Sequence, residues 1–63
     1  MKIKDFVNKL YDNKDAFKGA VMIIINGSFA TNVKELFSDI RNIDSIQKFV
    51  ADNDDIIYKV KTL

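Results

Sequence analysis

The sequence predicts an α+β domain in which a small sheet of two to four strands packs against an N-terminal amphipathic helix, with a second short helix as connector. Three features point to it. Apolar residues recur at helical spacing near the N-terminus, a β-branched run without alternation follows, and a strictly alternating segment closes the chain. All 63 residues belong to one domain, residues 1–63, since there is no linker, internal repeat or low-complexity tract to divide them.

Helix 1 is predicted over residues 2–12. Ile3, Phe6, Val7, Leu10 and Tyr11 fall on one helical face, while Lys2, Lys4, Asp5, Asn8, Lys9 and Asp12 fall on the other. Asn13-Lys14-Asp15 breaks the pattern, and Gly19 punctuates the loop that follows.

The run Ala20 to Ile25 reads as a strand buried on both faces, because its apolar residues are continuous. Helix 1 can shelter one face. The other then requires a second helix or another protomer. Asn26-Gly27 is a tight-turn signal, since both residues tolerate positive φ. A brief return strand is expected through Phe29, Thr31 and Val33. Asn32 and Glu35 have the spacing of a capping box. Helix 2 is accordingly placed at about 33–41, with Val33, Leu36, Phe37 and Ile40 as its apolar stripe.

Residues 43–51 fit two patterns. Asp44 with Gln47 has capping-box spacing, yet Ser45 to Val50 also suits a strand paired with Ile56–Thr62 across the Asp-rich stretch 52–55. The hairpin is preferred, because Asp52-Asn53-Asp54-Asp55 is turn chemistry. In the last segment Ile56, Tyr58, Val60 and Thr62 alternate with Ile57, Lys59, Lys61 and Leu63, as a strand requires.

Composition narrows the function. A chain of this length buries only about 60% of the surface its unfolded form exposes, so small domains usually recruit disulfides, a metal or a partner. Cysteine and histidine are both missing, which removes disulfides and Cys/His zinc sites and favours self-association. The same absence removes the commonest general base and the best thiol nucleophile. Ser28, Thr31, Ser38, Ser45 and Thr62 have no activating partner legible in the sequence, and Gly19 and Gly27 make no phosphate loop. No catalytic residue, cofactor, metal ligand or small-molecule substrate is therefore expected. Asp52–Asp55 is read as a solvated turn rather than a calcium loop, since Ile57 and Leu63 occupy the positions where an EF-hand needs glycine and glutamate.

A net charge of +1 produces no strong field toward phosphate backbones or anionic membranes. With no apolar leader and no run of about 20 apolar residues, the reading is a cytoplasmic protein without a membrane partner. Asn26-Gly27-Ser28 matches the N-glycosylation pattern, but the turn reading is preferred in a cytoplasmic chain. Abundant Ile, Lys, Asn, Asp and Phe, with Arg41 the single arginine, fit the AT-rich codons of a low-GC bacterium or its phage.

The expected function is a non-enzymatic protein-interaction module, self-associating as a homodimer and acting as a regulatory or phage-type accessory or inhibitor protein. Phe17 and Phe29, in or beside loops, are candidate interface anchors. Strand 20–25 or the exposed edge of the last strand is the candidate seam. The alternative is a weak nucleic-acid-binding protein using Lys48, Lys59, Lys61 and Tyr58 as a small patch on the C-terminal strand. Lysines on an edge strand have a simpler explanation, as a guard against aggregation.

Overall fold

The computed structural model describes residues 1–30 and 33–63 (for 33–35, the backbone only). Helix α1 spans Ile3–Asp12 and strand β1 Val21–Ile25. Strand β2 is Ser28–Phe29, helix α2 Val33–Ser38, strand β3 Ile43–Val50 and strand β4 Ile56–Thr62. The fold is α+β, with the four strands in one mixed sheet ordered β2-β1-β4-β3.

Helix α1 forms where the apolar spacing placed it. Ile3, Phe6 and Val7 are buried, and Leu10 packs half-buried against them. Its N-terminus lacks a side-chain cap at Lys2. The unpaired first-turn amides find a distant partner instead: Ile3 N–H donates to the Arg41 carbonyl at 3.0 Å and Lys4 N–H to the Asp39 carbonyl at 2.9 Å. The segment after α2 must stay extended to present those carbonyls. Helix 2 accordingly stops at Ser38 rather than near 41, and Ile40 is exposed instead of continuing the apolar stripe. Arg41 fixes this segment by donating to the Asp39 carboxylate through Nη2 at 2.7 Å and through Nε at 3.0 Å to Oδ2. Those hydrogen bonds hold the Asp39 carboxyl below its ordinary range. The capping box expected at Asn32 and Glu35, and Thr31 of the return strand, lie outside the described residues or side chains.

The turn after β1 is the one its sequence called for. Asn26 (φ 49°) and Gly27 (φ 86°) both adopt left-handed backbone, as a two-residue hairpin turn requires. Asn26 has a second role. Its Nδ2 donates to Thr62 Oγ1 at 2.8 Å and its Oδ1 accepts from Thr62 N–H at 3.0 Å, tying the turn to the end of β4.

β1 and β4 run parallel, with Val21, Ile23 and Ile25 beside Ile56, Tyr58 and Val60. Cross-strand partners share a face, so these six side chains point together. Ile25, Ile56, Tyr58 and Val60 are buried there against Ile3, Phe6 and Val7 of α1 and Leu36 of α2. The Phe6 and Tyr58 rings meet edge to face at 5.2 Å, a geometry that the ring quadrupoles favour. Both helices therefore cover the same side of the sheet.

Within the chain strand 20–25 is covered on one face only, because α2 joins α1 rather than taking the opposite side; of the two covers expected for the other face, the second helix is ruled out. Met22 and Ile24 are half-buried. Two further expectations are corrected by this arrangement. The last strand is internal, so its edge is no seam: β1 occupies one side and β3 the other. Lys59 and Lys61 likewise guard no edge. The ambiguous segment resolves as strand β3, antiparallel to β4, with an irregularity between Ile43 and Ser45.

The Asp-rich turn is more than a solvated connection. Asp55 Oδ1 accepts from Ala20 N–H at 2.9 Å, while Asn53 Nδ2 donates to Asp55 Oδ2 at 3.0 Å. Gly19 packs so closely on this turn that an added Cβ would stand 2.5 Å from the Asp54 carbonyl carbon and oxygen. Gly19→Ala must therefore displace backbone, and overpacking of that kind costs about 1–3 kcal/mol. Urea unfolding followed by circular dichroism is expected to show a lower midpoint with an unchanged slope.

Candidate functional site

With both helices on one side, no described element covers the other side of the sheet, and its composition follows from the strand register. Phe29, Ile24, Lys59 and Gln47 form one row across β2, β1, β4 and β3. Met22, Ile57 and Phe49 form the neighbouring row, and Lys61 pairs with Ser45 beyond the first. These rows combine an apolar band with a basic end. Met22, Ile24 and Ile57 are half-buried, whereas Phe29 and Phe49 are 64% and 48% exposed.

Lys59 Nζ stands 5.2 Å from the centroid of the Phe49 ring, within the range of a cation–π contact. This contact sets the ammonium of the exposed Lys59 beside the apolar band. Near the hairpin turn, Asn26, Gly27, Ser45, Gln47, Lys59 and Lys61 border a shallow groove of about 470 Å³. Ile24 and Val60 complete its lining, so the groove mixes apolar, hydrogen-bonding and cationic groups, with no carboxylate among its residues.

Of the candidates read from sequence, the two phenylalanines border one groove, whereas the lysine–tyrosine patch is divided between the two sides of the sheet. Phe29 belongs to the open face, opposite Ile24. Phe17 is half-buried, packs against the core, and lines an apolar groove of about 330 Å³ with Leu10, Tyr11, Val21 and Ile23; Phe29 borders the same groove from β2. Lys59 and Lys61 share the open face. Lys48 pairs directly with Tyr58 and so points to the helical side. Tyr58 itself is a core residue, 9% exposed and in contact with Phe6. The four-residue patch therefore does not assemble: strand alternation separates Lys48 and Tyr58 from Lys59 and Lys61.

Phe49 is the residue that sequence reading passed over. It stands on the open side, opposite Ile57 and beside Lys59. Its position two residues before Ala51 and the Asp-rich turn signalled a pairing with Ile57, once the hairpin was accepted. No long-range pattern in the sequence revealed which side the helices would leave bare.

Among the described residues, no group of three or more His, Cys, Asp or Glu is placed to hold a metal ion. No described helix is long and apolar enough to cross a membrane. Comparison with protein-family models, with curated proteins and with solved structures finds no match.

Tyr58 of β4 and Phe49 of β3 are expected to respond very unequally to truncation. Tyr58→Ala removes a buried ring and its contact with Phe6, which costs about 3–5 kcal/mol by analogy with other large aromatic deletions. Phe49→Ala removes an exposed ring and costs less than about 1 kcal/mol. Thermal unfolding of the two variants checks this order.

Proposed function

We propose that this chain is a non-enzymatic protein-interaction module that self-associates, as a homodimer, and acts by occluding or bridging a larger protein. Small regulatory proteins and phage-type accessory or inhibitor proteins work in this way. The observation that carries the reading is the open sheet face, where Met22, Ile24, Ile57, Phe29 and Phe49 lie together with no helix over them. A contiguous apolar band on a surface marks an interaction site more often than chance exposure does. Exposed aromatic side chains at its two margins are suitable anchors.

The chemistry of the rim narrows the partner. Lys59 and Lys61 stand beside the band, so a partner surface with an apolar centre and acidic flank is complementary. In this reading the open face meets the larger protein, and the chain functions as a rigid plug whose own core lies behind the sheet. Light scattering at micromolar concentration is expected to give about twice the 7.2 kDa chain mass. Affinity capture from the native host is expected to recover a protein with the native chain and lose it with Ile24→Lys, which changes the face without entering the core. A monomeric particle that captures nothing would end this reading.

One observation favours a second reading, a weak nucleic-acid binder. Lys59 and Lys61 share a sheet face with the exposed Phe49 ring, and single-stranded nucleic acid is bound by such pairings of lysine and a stacking surface. Phe49 takes the stacking role here instead of Tyr58. Binding would weaken steeply with salt as counterions are released. A mobility-shift titration with single-stranded DNA and RNA tests it, and no shift even at low salt would exclude it.

A further inference from the structure

We propose that the free edge of β3 pairs antiparallel with the same edge of a second copy, about a two-fold axis at Gln47, joining the two sheets into one. This inference rests on the self-association reading and names its seam.

The hydrogen-bonding pattern defines which groups are free. Ala51 N–H donates to the Asp55 carbonyl at 2.8 Å, and the register continues through Phe49↔Ile57 and Gln47↔Lys59. In an antiparallel ladder, alternate residues turn both N–H and C=O toward the partner. Gln47 and Phe49 thus face β4, whereas Ile46, Lys48 and Val50 turn their backbone groups away from it. Among the described residues no strand pairs with that side, since β3 ends the sheet. An edge of this length is a template for strand addition.

The available length is bounded at both ends. Before β3, Lys2 pairs with Asn42, and Ile43 N–H donates to the Met1 carbonyl at 2.7 Å, so the N-terminus already occupies the outer side there. After Val50 the chain enters the turn in which Asp54 N–H donates to the Ala51 carbonyl. The open stretch is residues 44–50, and its midpoint is Gln47.

Side chains select the same register. With Gln47 opposite the second copy's Gln47, the outward backbone groups of Ile46 face those of the second copy's Lys48, and the reverse. The acidic Asp44 end of each strand then lies beside the Lys48–Val50 end of the other. Gln47 stands at a non-hydrogen-bonded position, where side chains approach most closely. A primary amide both donates and accepts, so it can pair with its own copy. A shift by one step toward the turn sets Lys48 against the second copy's Lys48, and like charges directly opposite are unfavourable. The opposite shift runs the second copy's Phe49 into the lane held by Met1.

The competing mode, two open faces stacked together, is disfavoured by the same logic. It would bring the Lys59 and Lys61 ends of both copies into one interface without a carboxylate among the groove residues to offset them. Edge pairing leaves that face free for the larger partner.

The test uses the full chain. At a non-hydrogen-bonded antiparallel pair the Cα atoms lie about 4.5 Å apart, within the roughly 4.4–6.8 Å that a disulfide spans. Gln47→Cys is therefore expected to form a covalent dimer under mild oxidation, and Ser45→Cys, which meets Phe49 rather than itself, is expected to form little. Lys48→Pro removes an outward N–H without touching the ladder to β4, and it is expected to halve the particle mass while circular dichroism stays native-like. A native dimer that gives no Gln47→Cys cross-link and survives Lys48→Pro would overturn the edge assignment and leave self-association standing. A native chain that is monomeric at 100-fold higher concentration would overturn both.

Discussion

The parallel pairing of β1 with β4 is the constraint on which the rest of the molecule depends. It places the last strand in the centre of the sheet and aligns Val21, Ile23 and Ile25 with Ile56, Tyr58 and Val60. That alignment makes a single apolar surface broad enough for α1 and for Leu36 of α2. The two ends of the pairing are locked by polar contacts: Ile56 N–H to the Ala20 carbonyl at one end, and Asn26 with Thr62 at the other. Without this long-range ladder, α1 has no surface on which to bury Ile3 and Val7. Local propensity alone does not sustain so short a helix in water.

A one-sided core has a direct consequence for the surface. The helices collect on one face because the segment leaving α2 supplies carbonyls to the first turn of α1, which keeps the two helices neighbours. The side chains of β1 and β4 that point the other way are nevertheless apolar at Met22, Ile24 and Ile57. Among the described residues no further element covers them. The exposed surface is thus a product of topology rather than of any motif. Lys59 over Phe49 softens its contact with water at the margin.

Strand alternation and strand order divided the lysines between different roles. Lys59 and Lys61 belong to the central strand's open side, where they flank the apolar band. Lys48 belongs to the edge strand's helical side, where it limits the registers in which another strand can be added. The short N-terminal pairing of Lys2 with Asn42 acts similarly, by filling the first part of that edge. Edge and face are therefore chemically distinct surfaces.

Much of the fold was legible in the residues themselves. The 3.6-residue spacing of Ile3, Phe6, Val7 and Leu10, the positive-φ chemistry of Asn26-Gly27, and the alternation of Ile56 to Thr62 are local signals, and local geometry obeys them. The hairpin through the Asp-rich turn was legible for the same reason. Strand order was not. That β4 lies between β1 and β3, that Tyr58 is core while Phe49 is exposed, and that both helices share one side depend on contacts between residues far apart in the chain. Periodicity determines which side chains of an element point together. Only long-range packing decides what lies opposite them, because the free energy of covering a face belongs to the pair of surfaces and not to either segment alone.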